Sequence, residues 1–235
     1  MPDLTHLPAP VAHYLRHVLP QDQRPIRRLY QRQRGELRTS VQSERWFGFQ
    51  AEQITNPMSM SYVWDARVHL LPLIHLSVRD AYAGGRASSH VKLLSKITIG
   101  ADTGRPELNS GALHRYLAEA AWYPTALLPT ETLRWTALDD NRAQATLTDA
   151  GQSVSLEFRF NAAGEISGVY TPDRWEKLGR GYRRTPWEGH FYNYERKADM
   201  LVPTLAEVGW YHGGSWQKVW SGSVLESSYE LMHEL

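Results

Sequence analysis

Between Ser59 and Leu70 the chain alternates: Met60, Tyr62, Trp64, Ala66, Val68 and Leu70 fall on one side of an extended backbone, and Ser61, Asp65, Arg67 and His69 on the other. A period of two with one apolar side is the mark of a half-buried strand. The same alternation sets Val154, Leu156, Phe158 and Phe160 against Ser153, Ser155, Glu157 and Arg159, and the turn from Asn161 to Gly164 leads into a further strand over 165–171. Residues 26–38 and 45–55 flank a polar turn at Ser40 to Ser43, and 73–82 and 86–93 flank Gly84-Gly85, so both pairs read as hairpins. Strands are also expected near 187–197, 203–212 and 215–230, with Gly213-Gly214 as the turn between the last two.

Two segments break this period. Val11, Tyr14, Leu15 and Val18 recur at helical spacing behind Pro10, which predicts a short amphipathic helix at about 10–19. Leu113, Tyr116, Leu117 and Ala120 stand at i, i+3, i+4 and i+7 behind Asn109 or Ser110 as cap, and Pro124 stops the run, which predicts a central helix at about 111–123. About ten strands interrupted by one helix define an α+β, mainly antiparallel β chain. A sheet that large curls, so the expected form is a strongly curved sheet or open half-barrel covered by short helices, with residues 1–235 as a single domain.

Composition removes several classes of function. The chain has no cysteine, which excludes disulfides, thiolate metal sites, iron–sulfur clusters and a thiol nucleophile. Its 26 Lys and Arg against 25 Asp and Glu leave a formal charge of +1, too little to steer the protein to nucleic acid or an anionic membrane. The start has neither a basic nor an apolar leader region and no segment has the length of an apolar membrane span, so a soluble cytoplasmic protein is expected. The 9 Trp and 12 Tyr against 5 Phe stand out. Their rings with polar tips suit cavity walls, although twisted sheets also recruit them for β propensity.

Candidate chemistry is sparse. Arg115, Glu119 and Trp122 form a second line along the central helix beside the apolar stripe. Glu119 is therefore either a buried acid–base or ligand-anchoring group, or half of an ordinary surface ion pair. Asp65 and Arg67 share one strand face, where they could grip a polar head group or brace a cross-strand ladder. Asp80 shares a face with Leu76, Val78 and Tyr82, which places it in a partly buried site with a partner or at a strand end. His13 and His17 have i, i+4 spacing but no acidic companion, so no metal is expected. The basic stretch Arg24, Arg27, Arg28, Arg32, Arg34 and Arg38 reads as a solvated outer face. There is no phosphate-binding glycine loop and no Gly-x-Ser-x-Gly elbow, and no cofactor is expected.

Several segments together resemble a bacterial family catalogued as a domain of unknown function. They are Gln33-Arg34-Gly35-Glu36-Leu37-Arg38, Trp64-Asp65-Ala66-Arg67, Arg79-Asp80-Ala81-Tyr82, the run from Arg115 through Trp122-Tyr123-Pro124 to Pro129, and Glu207-Val208-Gly209-Trp210. That resemblance implies no activity. The layout, with the strand from Pro57 to Trp64-Asp65, is also similar to the lipoprotein carriers LolA and LolB. That likeness implies a curved sheet wrapped around helices and an apolar cavity lined by aromatics.

The leading expectation is a non-catalytic binder of a hydrophobic or amphipathic small molecule. Tyr62, Trp64, Trp122 and Tyr123 would form the walls, and Asp65, Arg67 and Glu119 would orient the polar end. The rival is an enzyme with Glu119 or Asp80 as acid or base and Arg115 or Arg67 stabilising negative charge. A third reading, a protein-interaction scaffold, expects an exposed apolar patch instead of an enclosed cavity.

Overall fold

The computed structural model describes residues 3–179 and 181–232; Met1, Pro2, Arg180 and residues 233–235 of the expected 1–235 domain lie outside the described residues. Among the described residues the strands form one antiparallel sheet. β1 (Ile26–Leu37), β2 (Phe47–Asn56), β3 (Ser61–Leu71), β4 (Ile74–Ala83), β5 (Arg86–Leu93) and β6 (Ile97–Thr103) make a first meander. β7 (Leu133–Asp139), β8 (Arg142–Asp149), β9 (Gln152–Phe160), β10 (Ile166–Leu178), β11 (Gly181–Lys197), β12 (Met200–His212) and β13 (Ser215–Leu231) make a second, and β13 returns to pair with β1.

β6 and β7 are therefore the two edges, and the chain that joins them has to bridge the two ends of the sheet. That crossing is the helical segment α2 (Pro106–Glu119), continued by 3-10 turns at Ala120–Trp122 and Pro124–Leu127. A sheet of 13 strands exceeds the roughly ten that stay open without curling. It wraps around α2, which packs on β4 and β5 with one side and on β9 and β10 with the other. Side chains close the seam where strand pairing does not. Tyr82 Oη donates to Asp149 Oδ2 at 2.7 Å, and Lys177 Nζ and Tyr182 Oη both donate to Asp102 Oδ2, at 3.0 and 2.7 Å. The result is the expected curved sheet, an open half-barrel.

The helices form for the reasons their spacing gave. In α1 (Ala9–Val18), Val11, Tyr14, Leu15 and Val18 are all buried, with Tyr14 against Phe160 at 5.8 Å. Leu113, Tyr116 and Leu117 are buried along α2 and Ala120 just past its end, and side chains of this size contribute roughly 1.5–3 kcal/mol each when buried. The start of α2 differs from the expectation. Pro106 begins it a turn before Asn109, because proline is preorganised for a first turn. Asn109 instead accepts a hydrogen bond from Ala87 N at 2.8 Å and fastens α2 to β5.

The expected ten strands are also too few: β6, β7 and β8 were not foreseen. β6 and β7 are short edges with largely solvent-facing residues, and their apolar alternation, Ile97, Ile99 and Ala101 in one and Leu133, Trp135 and Ala137 in the other, runs over only three positions. β8 does alternate, but its inward residues include Ala143 and Ala145, small side chains that carry little hydrophobic signal.

Candidate ligand-binding cleft

A cleft of about 460 Å³ lies between α2 and the inner face of the sheet. Its walls are aromatic and branched, among them Trp64, Trp122, Trp187, Phe191, Val208 and Trp220. The strand period places them there: Trp64 projects inward from β3, Trp187 and Phe191 from β11, and Val208 from β12. Glycines set the position of one wall residue, Trp220. Gly35 of β1 pairs with Gly222 of β13, and a Cβ on either would meet the Phe49 or Trp220 ring at under 3 Å. Bare backbone lets these two rings stack over the sheet, 5.6 Å apart.

The polar end of the cleft is built around Arg115. Its Nε donates to Glu119 Oε1 at 2.7 Å, Nη2 to Gln53 Oε1 at 3.1 Å and Nη1 to Asp80 Oδ2 at 3.4 Å. The guanidinium also lies 5.0 Å from the Tyr62 ring and 5.1 Å from the Trp64 ring. Gln53 Nε2 donates to the second Glu119 oxygen at 2.6 Å, and Ser89 Oγ to the second Asp80 oxygen at 2.7 Å. Burial opposes the charge on Arg115, but Glu119, Tyr62 and Asp80 outweigh it and hold its pKa above the ordinary guanidinium value. Trp64 is pinned in turn, its Nε1 donating to Gln33 Oε1 at 2.9 Å. Arg115, Glu119, Asp80, Trp64 and Trp122 thus come together from α2, its 3-10 extension, β3 and β4.

Arg174 shares this lining and was absent from the sequence reading. Its guanidinium sits 4.4 Å from the Trp187 ring and 5.4 Å from the Trp210 ring, with Nη2 donating to Gly111 O at 3.1 Å. A β-bulge turns it inward. Thr171 and Arg174, three positions apart on β10, face Trp187 and Thr185, two apart on β11, so the alternation shifts by one residue at Pro172-Asp173. The signal for this was Pro172 inside a strand, where proline marks an edge or a bulge.

Other candidates fall elsewhere. Asp65 and Arg67 do not join the polar end of the cleft: they occupy the outer face of β3, where Asp65 accepts from Arg79 at 2.6 Å in solvent. Their side chains line a more open hollow of about 710 Å³ whose rim is surface charge. The one-residue step from Trp64 to Asp65 forces this, since adjacent strand residues point to opposite faces. Tyr123 is fully buried core, donating to Tyr116 O at 2.5 Å, and is not a wall residue. Tyr62 is buried beneath Arg115 and against Tyr82. Arg32 pairs with Glu226 and Arg27 with Glu230 on the outer face. His13 and His17 stack on the exposed side of α1 at 6.3 Å. Among the described residues no helix is long and apolar enough to cross a membrane.

These features define a class: an open antiparallel half-barrel wrapped around a helix, with an aromatic cleft capped by charged side chains. Within it the chain belongs to the family of unknown function DUF6544, whose model matches residues 1–222. No curated protein matches the chain. Among solved structures it is similar to a LolA superfamily protein from Nitrosomonas europaea, at 8% identity over 97% of this chain and 94% of that one, with a TM-score of 0.45. It is also similar to a β-barrel-like protein of unknown function, DUF1849, from Brucella abortus, at 9% identity over 88% and 99% of the two chains, with a TM-score of 0.24.

Proposed function

We propose that this protein is a binding domain that holds a hydrophobic or amphipathic small molecule in the cleft beneath α2, with the whole chain acting as one domain. The observation that carries the reading is the cleft: about 460 Å³, walled by tryptophans, phenylalanine and aliphatic side chains, with Asp80, Arg115, Glu119 and Arg174 gathered at one end and Arg38 at the end of β1. Small-molecule sites have this size and this ratio of apolar wall to polar anchor. The carboxylates favour binding over catalysis. Glu119 accepts from Arg115 and Gln53, and Asp80 from Arg115 and Ser89, so both carboxylates are already engaged in holding Arg115 in place.

Mass spectrometry of the purified protein under native and denaturing conditions tests this, with displacement of an environment-sensitive dye as a second measure. The expected result is a released molecule, or a dye that competes with single-chain amphiphiles. Ala118→Leu, which places extra carbons on the α2 face lining the cleft, should weaken either form of binding while the protein still melts cooperatively. No released molecule and no dye binding to the wild type would overturn the reading.

A further inference from the structure

We propose that Arg174 anchors the ligand's head group and that the ligand is a single-chain amphiphile ending in an anionic oxygen group, a carboxylate or a phosphate monoester. This rests on the binding reading above and adds the chemistry of the polar end.

The starting point is a contrast among the three arginines of one cleft. Arg38 lines it at the end of β1 instead of lying on a solvated outer face, and its Nε is also buried without an acceptor, but its guanidinium donates to Ser43 O at 3.3 Å and rests 5.3 Å from the Trp46 ring, beside the turn at Ser40 to Ser43. Arg115 already has its counter-charges, Glu119 and Asp80. Arg159, half-buried further along the sheet, has Glu157 and Glu188. Arg174 lines the same cleft as Arg115, yet none of the ion pairs among the described residues includes it. Its Nε is buried and has no acceptor. An uncompensated buried cation is costly, and the fold retains this one against the rings of the cross-strand pair Trp187 and Trp210. Burial, with Arg115 adding to it, draws its pKa down to about 10, so the group still carries its charge at neutral pH. A second donor is also unmet: Trp122 Nε1, on another cleft residue, is buried without an acceptor.

An anion with two oxygens supplies what is missing. A carboxylate or phosphate can accept from a guanidinium in a parallel pair of hydrogen bonds, and contact with the two indole rings holds this guanidinium beside the cleft. Arg38 aside, the remainder of the cleft is mainly apolar, and its volume suits one hydrocarbon chain better than the two of a bilayer lipid.

Dye displacement at pH 7.5 by dodecanoate, dodecyl phosphate, dodecanol and dodecylamine, each below its micellar concentration, separates the possibilities. Dodecanoate or dodecyl phosphate should bind at least about tenfold more tightly than dodecanol, and dodecylamine most weakly. Which anion leads tells carboxylate from phosphate. Arg174→Met should bring the anions down to the level that the same variant shows for dodecanol, and Arg174→Lys should recover part of the difference. Equal binding of acid and alcohol by the wild type overturns the head-group assignment and leaves the binding reading standing. Failure of all four to displace the dye overturns both.

Discussion

Arg115 Nε donates to Glu119 Oε1 at 2.7 Å across one turn of α2, and the pair faces into the sheet instead of out to water. The spacing alone fits an exposed i, i+4 pair worth a few tenths of a kcal/mol. Enclosure changes its weight. The side chains keep only 21% and 13% exposure, and Gln53 and Asp80 complete the set of partners.

Glu119→Ala should therefore cost about 2–4 kcal/mol of unfolding free energy in urea, because Arg115 is left half-buried with Asp80, at 3.4 Å, as its remaining counter-charge. Glu119→Gln, which keeps an acceptor for Arg115, should cost less. A loss below about 0.5 kcal/mol for the alanine variant would return the pair to the status of a surface contact.

Asp102 ties the β6 edge to β10 and β11 and so holds the half-barrel around α2. Burial works against its charged form, but the hydrogen bonds from Tyr182 and Lys177 prevail and keep the carboxyl below its ordinary 3.8. A depressed folded value stabilises the protein above the unfolded pKa, and this stabilisation is lost as pH falls through the folded value. Asp102→Asn should lower stability at pH 7 by about 1 kcal/mol, a modest figure because Lys177 is half exposed. Melting curves from pH 7 downward should show the gap between the two proteins closing in acid below 3.8. A gap independent of pH would contradict the latch.

His114 is buried on α2, its Nδ1 donating to Ser110 O at 2.9 Å. Burial first, and then the charge of Arg174, push its pKa from 6.5 down to about 4, against the pull of the Ser110 carbonyl. The unfolded chain thus takes up the proton before the folded one does. Stability from this residue is complete above 6.5 and declines as pH falls toward 4, by roughly 3 kcal/mol in all. His114→Gln should flatten the stability profile across that window in urea titrations at stepped pH. A profile of unchanged slope would show that His114 does not titrate there.

Most strands were legible because a half-buried strand must alternate, and Met60 to Leu70 or Val154 to Phe160 do so plainly. The exposed edges β6 and β7 bury no full face, and their alternation is only three positions long. The site was less legible. Arg115, Glu119 and Trp122 could be grouped because α2 is a continuous helix with a fixed repeat, and Trp64 and Asp80 because each shared a face with apolar neighbours. Asp65 failed as a cleft residue for the same reason that Trp64 succeeded, being one step further along a strand.

The sequence by itself determined the repeating local geometry: which stretches extend, which coil into helix, and which side of each is apolar. Those properties follow from residues two, three and four positions apart. Only the tertiary structure decided that α2 packs between β4 and β5 on one side and β9 and β10 on the other, that the sheet closes on it through Asp102 and Tyr82, and that a bulge at Pro172-Asp173 swings Arg174 into the cleft beside Arg115. The physical reason is that strand register, bulge placement and curvature depend on pairings between residues far apart in the chain. The partners that turn the Arg115–Glu119 pair from a surface contact into an enclosed network are 62 and 35 positions away, at Gln53 and Asp80.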